Sequence, residues 1–234
     1  PIPQNLGELC EAVKKHGADL GLAVDPDVDR LALVSERGDP LGEEYTLALT
    51  THFVLSKTPG NVVVNVSTTR AIDDIAEKFG GTCFRSQVGE IHVATMAQQK
   101  NAVMAGEGNG GVIYPPLHLG RDAPVGIALI LQMMAEADKP ISHIHAEMPQ
   151  YSMVKDKVPL PFGVDARSIV AKLEKTHADK NRDTTDGLKL LFEKSWVHIR
   201  ASNTEPIIRI MAEAPTREEA AQLVDQYKRV ICSL

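Results

Sequence analysis

The sequence predicts a layered α/β architecture followed by a small α+β domain, and three observations predict it. Short apolar runs alternate with helical periodicities through residue 147. Turn residues, chiefly Gly and Pro, separate those segments. A polar stretch around residues 147–152 then opens a different order: strand, helix, hairpin, strand, helix.

Taken in order, "LGELCEAVKKHG" reads as a helix stopped by Gly17, and "LGLAV" and "RLALV" as short strands around an acidic loop. Gly38-Asp39-Pro40 is a turn and the first expected boundary. "YTLALTTHFVL" reads as a buried helix and "NVVVNV" as a buried strand. "TRAIDDIAEKFGG" is an amphipathic helix with Ile72, Ile75, Ala76 and Phe79 on one face and a glycine stop. The strand "TCFR", the helix "IHVATMAQQK", the strands "AVMAG" and "GVIYP" and the helix "APVGIALILQMMAEAD" complete the α/β part. Beyond the linker, a helix from Asp165 aligns Ile169, Val170 and Leu173, and Asp186-Gly187 signals a hairpin before "LKLLF". The last helix opens with Thr216-x-x-Glu219, a capping box, and carries Ala220, Leu223, Val224, Tyr227 and Ile231 at helical spacing.

Composition narrows the function classes. With 31 acidic against 25 basic side chains in 234 residues, the formal charge of −6 argues against a nucleic-acid partner. No apolar run approaches membrane-spanning length, so no membrane partner is expected, and "PIPQNLGELC" lacks a signal-peptide pattern. Cys10, Cys83 and Cys232 are odd in number and far apart, which disfavours disulfides or a zinc site and makes a cytoplasmic setting the default. A start at Pro1, close to a helix, reads as a piece of a longer protein.

Three loops carry chemistry. "DPDVDR" sets Asp25, Asp27 and Asp29 at alternate positions, where their mutual repulsion calls for a cation; oxygen ligands alone point to Mg²⁺ or Ca²⁺. An EF-hand would need Gly where Arg30 stands, and helices where strands are expected, although Glu36 falls in the twelfth place. A solvated acidic turn is the competing reading. "GEGNGG" places Glu107 and Asn109 among glycines that would let a ligand approach the backbone, a carboxylate and an amide suited to vicinal sugar hydroxyls; a plain hairpin is the alternative. "RASNTEP" gathers Arg200, Ser202, Asn203 and Thr204, a guanidinium with hydroxyls, an amide and backbone donors suited to a phosphate dianion, against an ordinary polar turn before Pro206. Arg209, on the next strand, adds charge if it shares that face.

These three motifs, in this order and at roughly this spacing, resemble the metal, sugar and phosphate loops of the α-D-phosphohexomutases, the family of phosphoglucomutase, phosphomannomutase and phosphoglucosamine mutase. The resemblance runs the whole length of the chain, "PIPQNL" included. It implies residues 1–38 as the end of the family's second domain and 39–147 as its α/β third domain. Residues 148–234 would be its fourth domain, an α+β fold like the TATA-binding protein. It also implies interconversion of hexose 1-phosphate and hexose 6-phosphate, of glucose or mannose, through a phosphoserine and a hexose 1,6-bisphosphate intermediate. Asp25, Asp27 and Asp29 would hold Mg²⁺, Arg30 would contact phosphate, Glu107 and Asn109 would grip hydroxyls, and Arg200, Ser202, Asn203 and Thr204 would anchor the distal phosphate.

The sequence departs from the family pattern in places. No T-A-S-H-N-P-type loop occurs, so the nucleophile would belong to N-terminal domains outside these residues, and this chain alone would be inactive. Asn109 and Gly111 stand where many members carry Ser and His, leaving His118 as the substitute general base. Arg121 and Asp122 read as a helix-capping pair, and Gln87 replaces a common Lys or Thr. His143-x-His145 falls on a helix that would point the rings apart. A phosphoglucosamine substrate and a non-catalytic sugar-phosphate-binding domain pair are the alternatives.

Overall fold

The computed structural model describes residues 2–161, 163–202 and 205–233. It divides into two compact units, Pro1–Pro149 and Gln150–Leu234.

In the first unit a short 3-10 turn, Pro3–Asn5, leads into α1 (Gly7–His16), which ends at Gly17 with φ +60°. That left-handed cap is available to glycine at no steric cost. β1 (Leu20–Val24) and β2 (Leu31–Ser35) pair antiparallel around the acidic loop. β2 is buried on both faces: Ala32 and Val34 meet Leu6 and Val13 below α1, while Leu31 and Leu33 enter the main core. Packing therefore continues through the Gly38 turn.

The main layer follows. α2 (Glu43–Lys57), β3 (Val62–Asn65), α3 (Ala71–Lys78), β4 (Cys83–Ser86), α4 (Glu90–Gln99), β5 (Met104–Glu107), β6 (Gly111–Ile113), α5 (Ala123–Ala137) and α6 (Ile141–Ala146) follow in sequence. The sheet order is β4-β3-β5-β6, with β3 parallel to both neighbours and β6 antiparallel to β5. Val62, Val64, Met104 and Val112 face the core under α2, α3 and α5, while Val63, Ala105 and Ile113 face Val93 and Ala97 of α4. This two-sided burial explains the unbroken apolar run "VVV" in β3. Ligands of such sheets gather beyond the carboxyl ends of the parallel strands. Here that edge presents Asn65, Ser86 and Glu107.

The second unit is a five-stranded antiparallel sheet with helices on one face. β7 (Ser152–Pro159), α7 (Ala166–Thr176), β8 (Arg182–Asp183), β9 (Leu188–Leu191), β10 (Trp196–Ala201), β11 (Ile207–Ala214) and α8 (Arg217–Cys232) give the order β7-β11-β10-β9-β8. Val197, Ile199, Ile208, Ile210 and Ala212 meet Ile169 and Leu173 of α7 and Val224, Tyr227 and Ile231 of α8. The Asp186-Gly187 turn joins β8 to β9, with Gly187 at φ +79°. The Thr216–Glu219 capping box is formed on both sides.

Candidate functional site

The acidic loop is held from within. Asp25 accepts from the backbone N–H groups of Asp29 at 3.2 Å and Arg30 at 3.1 Å, and its second oxygen lies 3.3 Å from Arg30 Nε. Val28 takes φ +58°, unusual for a β-branched residue. Its N–H donates to Asp25 O at 3.0 Å, and its carbonyl accepts from Ala123 N–H at 3.2 Å, so both neighbours fix the turn. One oxygen from each of Asp25, Asp27 and Asp29 lies within 4.8 Å of the others. Asp27 is exposed. Among the described residues, the buried Asp29 Oδ1 has no hydrogen-bond donor, and Arg30 Nε lies 3.6 Å from it.

An unsatisfied buried oxygen facing two carboxylates is the condition a hard divalent cation relieves, so the residues fit Mg²⁺. The electrostatics agree. Burial would raise the Asp25 carboxyl, but the Arg30 and Asp29 groups donating to it hold it below the usual carboxylate range. Burial, then the adjacent Asp25 carboxyl, push Asp29 up against the opposing pull of Arg121. Glu36, the EF-hand position, is turned away onto the Ser142 N–H and hydroxyl at the start of α6.

Glu107 closes β5 and is only 3% exposed. Oε1 accepts from Asn65 Nδ2 at 2.8 Å and Gly89 N–H at 3.0 Å, and Oε2 accepts from Arg121 Nη1 at 2.7 Å. Asn65 is in turn oriented by the Ser67 N–H and the Thr68 hydroxyl. Arg85 ties down that β3–α3 loop by donating to the Thr68 carbonyl at 2.6 Å and the Thr69 carbonyl at 3.1 Å. Asn109 is half-buried and spends its oxygen on Gly111 N–H at 3.2 Å, which leaves its amide NH₂ as the group it can offer.

The glycines of this hairpin are required by packing. A Cβ on Gly108 would fall onto the buried carboxylate of Glu44, which accepts from Thr69 N–H at 3.0 Å. One on Gly110 would meet the Leu31 carbonyl, and one on Gly111 the stem of Arg121. Leu31 N–H donates to Gly110 O at 3.0 Å, joining the acidic loop's second strand to the hairpin.

Sequence reasoning missed Arg121. Asp122 does cap α5, accepting from Val125 N–H at 2.9 Å, but Arg121 turns inward with its side chain 13% exposed. Nη1 binds Glu107 and Nη2 binds Asp29 Oδ2, while Nε lies 3.5 Å from Glu90 and the backbone N–H donates to Glu90 at 2.7 Å. Only its place beside the helix cap was visible in the sequence; its three carboxylate partners, Glu107, Glu90 and Asp29, lie on other elements of the unit. His118 is engaged locally. Nε2 lies 2.8 Å from Asp122, and Nδ1 accepts from Gly120 N–H at 3.1 Å, so neither ring nitrogen offers a free lone pair. His145 is half-buried and edge-on to Tyr45 with 4.3 Å between centroids, while His143 is exposed.

In the second unit Arg200 is the penultimate residue of β10, half-buried, with Nη1 3.0 Å from Asp186. It borders a cleft of about 290 Å³ also lined by Arg167, Glu174 and Gly187. Arg209 pairs directly across from Arg200 in the β10–β11 register, so the two share a face, and it contacts Glu205 at 3.1 Å. Ser202 N–H donates to Ile207 O at 3.0 Å. Asn203 and Thr204 lie outside the described residues.

Comparison with known proteins shows the family and the fold. Residues 1–38, 42–151 and 156–230 match the models of phosphoglucomutase/phosphomannomutase α/β/α domain II, α/β/α domain III and C-terminal domain. A phosphoglucomutase/phosphomannomutase of Thermococcus kodakarensis is 38% identical over 96% of the chain and 50% of its own length. A probable phosphoglucosamine mutase of Methanopyrus kandleri is 36% identical over 99% of the chain and 52% of its own. A phosphoglucomutase/phosphomannomutase family crystal structure from Burkholderia thailandensis superimposes with TM-score 0.85 at 26% identity, over 99% of this chain and 50% of that one. The chain thus spans about half the length of the relatives it matches. With all three domain models matched in order across its length, the chain belongs to the α-D-phosphohexomutase family.

Proposed function

We propose that this chain supplies the metal, sugar and distal-phosphate loops of a mutase that interconverts hexose 1-phosphate and hexose 6-phosphate, of glucose or mannose. One observation carries the reading. The acidic loop and the Glu107 hairpin are built as one piece, joined by the Leu31–Gly110 hydrogen bond and by Arg121 between their carboxylates.

In this reading Asp25, Asp27 and Asp29 hold Mg²⁺, which when bound neutralises charge on a transferring phosphoryl group. Arg30 lies beside it, its side chain 42% exposed and available to a phosphate oxygen. Glu107, its carboxylate fixed on three donors, and the Asn109 amide accept from and donate to sugar hydroxyls. Arg200, Ser202, Asn203 and Thr204 anchor the phosphate that is not reacting, and Arg209 adds positive charge on the same face; this is positioning rather than bond chemistry. The phosphoserine donor, with hexose 1,6-bisphosphate as intermediate, belongs to N-terminal domains beyond these residues. Accordingly the chain alone binds sugar phosphate without turning it over, in a cytoplasmic setting; among the described residues Cys10, Cys83 and Cys232 form no disulfide.

Isotope-labelled chain titrated with glucose 1-phosphate in Mg²⁺ tests this by amide shifts. Shifts at Ser202 and Glu205 with millimolar affinity, about −4 kcal/mol, are expected. No shift there removes the phosphate-loop role, and any 6-phosphate formed removes the requirement for an outside donor. Glucosamine 1-phosphate is the competing substrate, favoured by the name of the Methanopyrus relative; tighter binding than glucose or mannose 1-phosphate would decide for it.

A further inference from the structure

We propose that Arg121 is a positioning residue that couples the aspartate loop to the hydroxyl-binding carboxylate, so that the charge on Glu107 sets how tightly the loop takes a divalent cation. This rests on the metal and sugar roles proposed above and goes beyond them. One guanidinium is shared by Asp29 Oδ2 on Nη2 and Glu107 Oε2 on Nη1, with the more exposed Glu90 carboxylate 3.5 Å from Nε as a third partner. It cannot swing away: Glu90 holds its backbone N–H, and Gly111 lies against its stem. Glu107 cannot follow Arg121 either, because Asn65 and Gly89 occupy its other oxygen.

The consequence is electrostatic competition. A cation approaching Asp25, Asp27 and Asp29 competes with Nη2 for the charge of Asp29. Part of the Arg121 charge is spent on the Glu107 carboxylate. Replacing the Glu107 carboxylate by an amide turns that charge onto the remaining partners, the buried Asp29 and the more exposed Glu90, and the cation meets a stronger rival at Asp29. By linkage the effect runs both ways, so a cation at the aspartate loop strengthens the hold of Arg121 on Glu107. Among the described residues, the hydrogen-bond partners of the Glu107 side chain are Asn65, Gly89 and Arg121, none of them in the acidic loop. Arg121 is therefore the direct link.

The test is a double-mutant cycle read by calorimetry with Mg²⁺ alone. Glu107→Gln should weaken Mg²⁺ binding by about fivefold, the lower end of ordinary coupling between sites. In an Arg121→Gln background the same change should alter it by less than about twofold, the scatter expected of uncoupled sites. An equal Glu107→Gln effect in both backgrounds, or none in either, overturns the proposal. Because Arg121→Gln leaves a buried carboxylate without its cation and could unfold the chain, a second measurement uses the unaltered protein. Mg²⁺ should shift the Asn65 side-chain NH₂ and Gly89 N–H resonances with the midpoint seen at Asp29 N–H; silence at both overturns it. Asp27→Asn separates the two layers: lost Mg²⁺ binding upholds the metal site whatever the cycle shows, and retained binding removes the metal site itself.

Discussion

Gly110→Ala should break the join between the acidic loop and the hairpin, and its size can be worked from local geometry. Gly110 sits at φ +90°, where an L side chain costs roughly 1–2 kcal/mol of backbone energy. Its Cβ would lie 3.2 Å from both Leu31 N and Leu31 C and nearer still to the Leu31 carbonyl oxygen, so relief requires backbone rather than a side chain to move. Such overpacking costs about 1–3 kcal/mol, and the obvious escape stretches the 3.0 Å Leu31–Gly110 hydrogen bond. The expected total is roughly 2–5 kcal/mol. Gly80→Ala is the matched control, with φ +71° and nothing within 4 Å of its added Cβ, so it carries the backbone penalty alone. In urea, followed by circular dichroism, a loss near 3 kcal/mol with an m of about 2 kcal/mol/M moves the midpoint by roughly 1.5 M. Gly80→Ala should move it by less than half as much. Hydrogen exchange at Leu31 N–H should accelerate in Gly110→Ala only. Equal midpoints for the two variants, with Leu31 still protected, would refute the steric reasoning.

Asp27→Asn should abolish the weak Mg²⁺ binding of the chain, because the exposed Asp27 is the loop carboxylate to which no hydrogen bond or ion pair is assigned among the described residues; calorimetry reads this directly. In the enzyme complete with its N-terminal domains, Arg200→Ala should lower kcat/KM by roughly 2–4 kcal/mol, the scale for removing a hydrogen-bonded charge partner, and steady-state kinetics would show it. His198, 1% exposed, has its pKa pushed down to about 4 by burial, with Lys189 adding to the effect. Because the unfolded chain takes up that proton near 6.5 and the folded unit does not, stability is complete above pH 6.5 and falls as pH drops toward 4, by about 3 kcal/mol in total. Trp196 fluorescence should follow this in the second unit, and His198→Gln should flatten the dependence.

Legibility of the fold followed the range of the interactions involved. Every helix whose apolar face and stop signal lie within one segment was readable: Gly17 ends α1, the Thr216–Glu219 box opens α8, and Ile72, Ile75 and Ala76 mark the buried face of α3. The continuous "VVV" of β3 announced a strand covered on both sides. Strand limits at the hairpin were less visible, because β5 runs on through Glu107 and β6 begins at Gly111, leaving only three residues between them. In that interval composition signals a loop while cross-strand pairing decides where the ladder stops.

At the site, residue types were legible and their supports were not. A carboxylate beside glycines announces a ligand loop, yet the same glycines are required by Glu44, Leu31 and Arg121, which lie against them from three distant parts of the chain. Glycine in a sequence cannot distinguish room for a ligand from room for a neighbour, since both ask only for a missing Cβ. The contacts that fix Glu107 come from 42, 18 and 14 positions away, in Asn65, Gly89 and Arg121, and no local spacing encodes them. A carboxylate 3% exposed takes its hydrogen bonds from those donors rather than from water, which makes the supporting groups as much a part of the site as the carboxylate. Arg121 belongs to that group on the strongest terms: it alone among the three also reaches the acidic loop, so any change there is felt at Asp29 and Glu107 at once, and at Glu90 beside them.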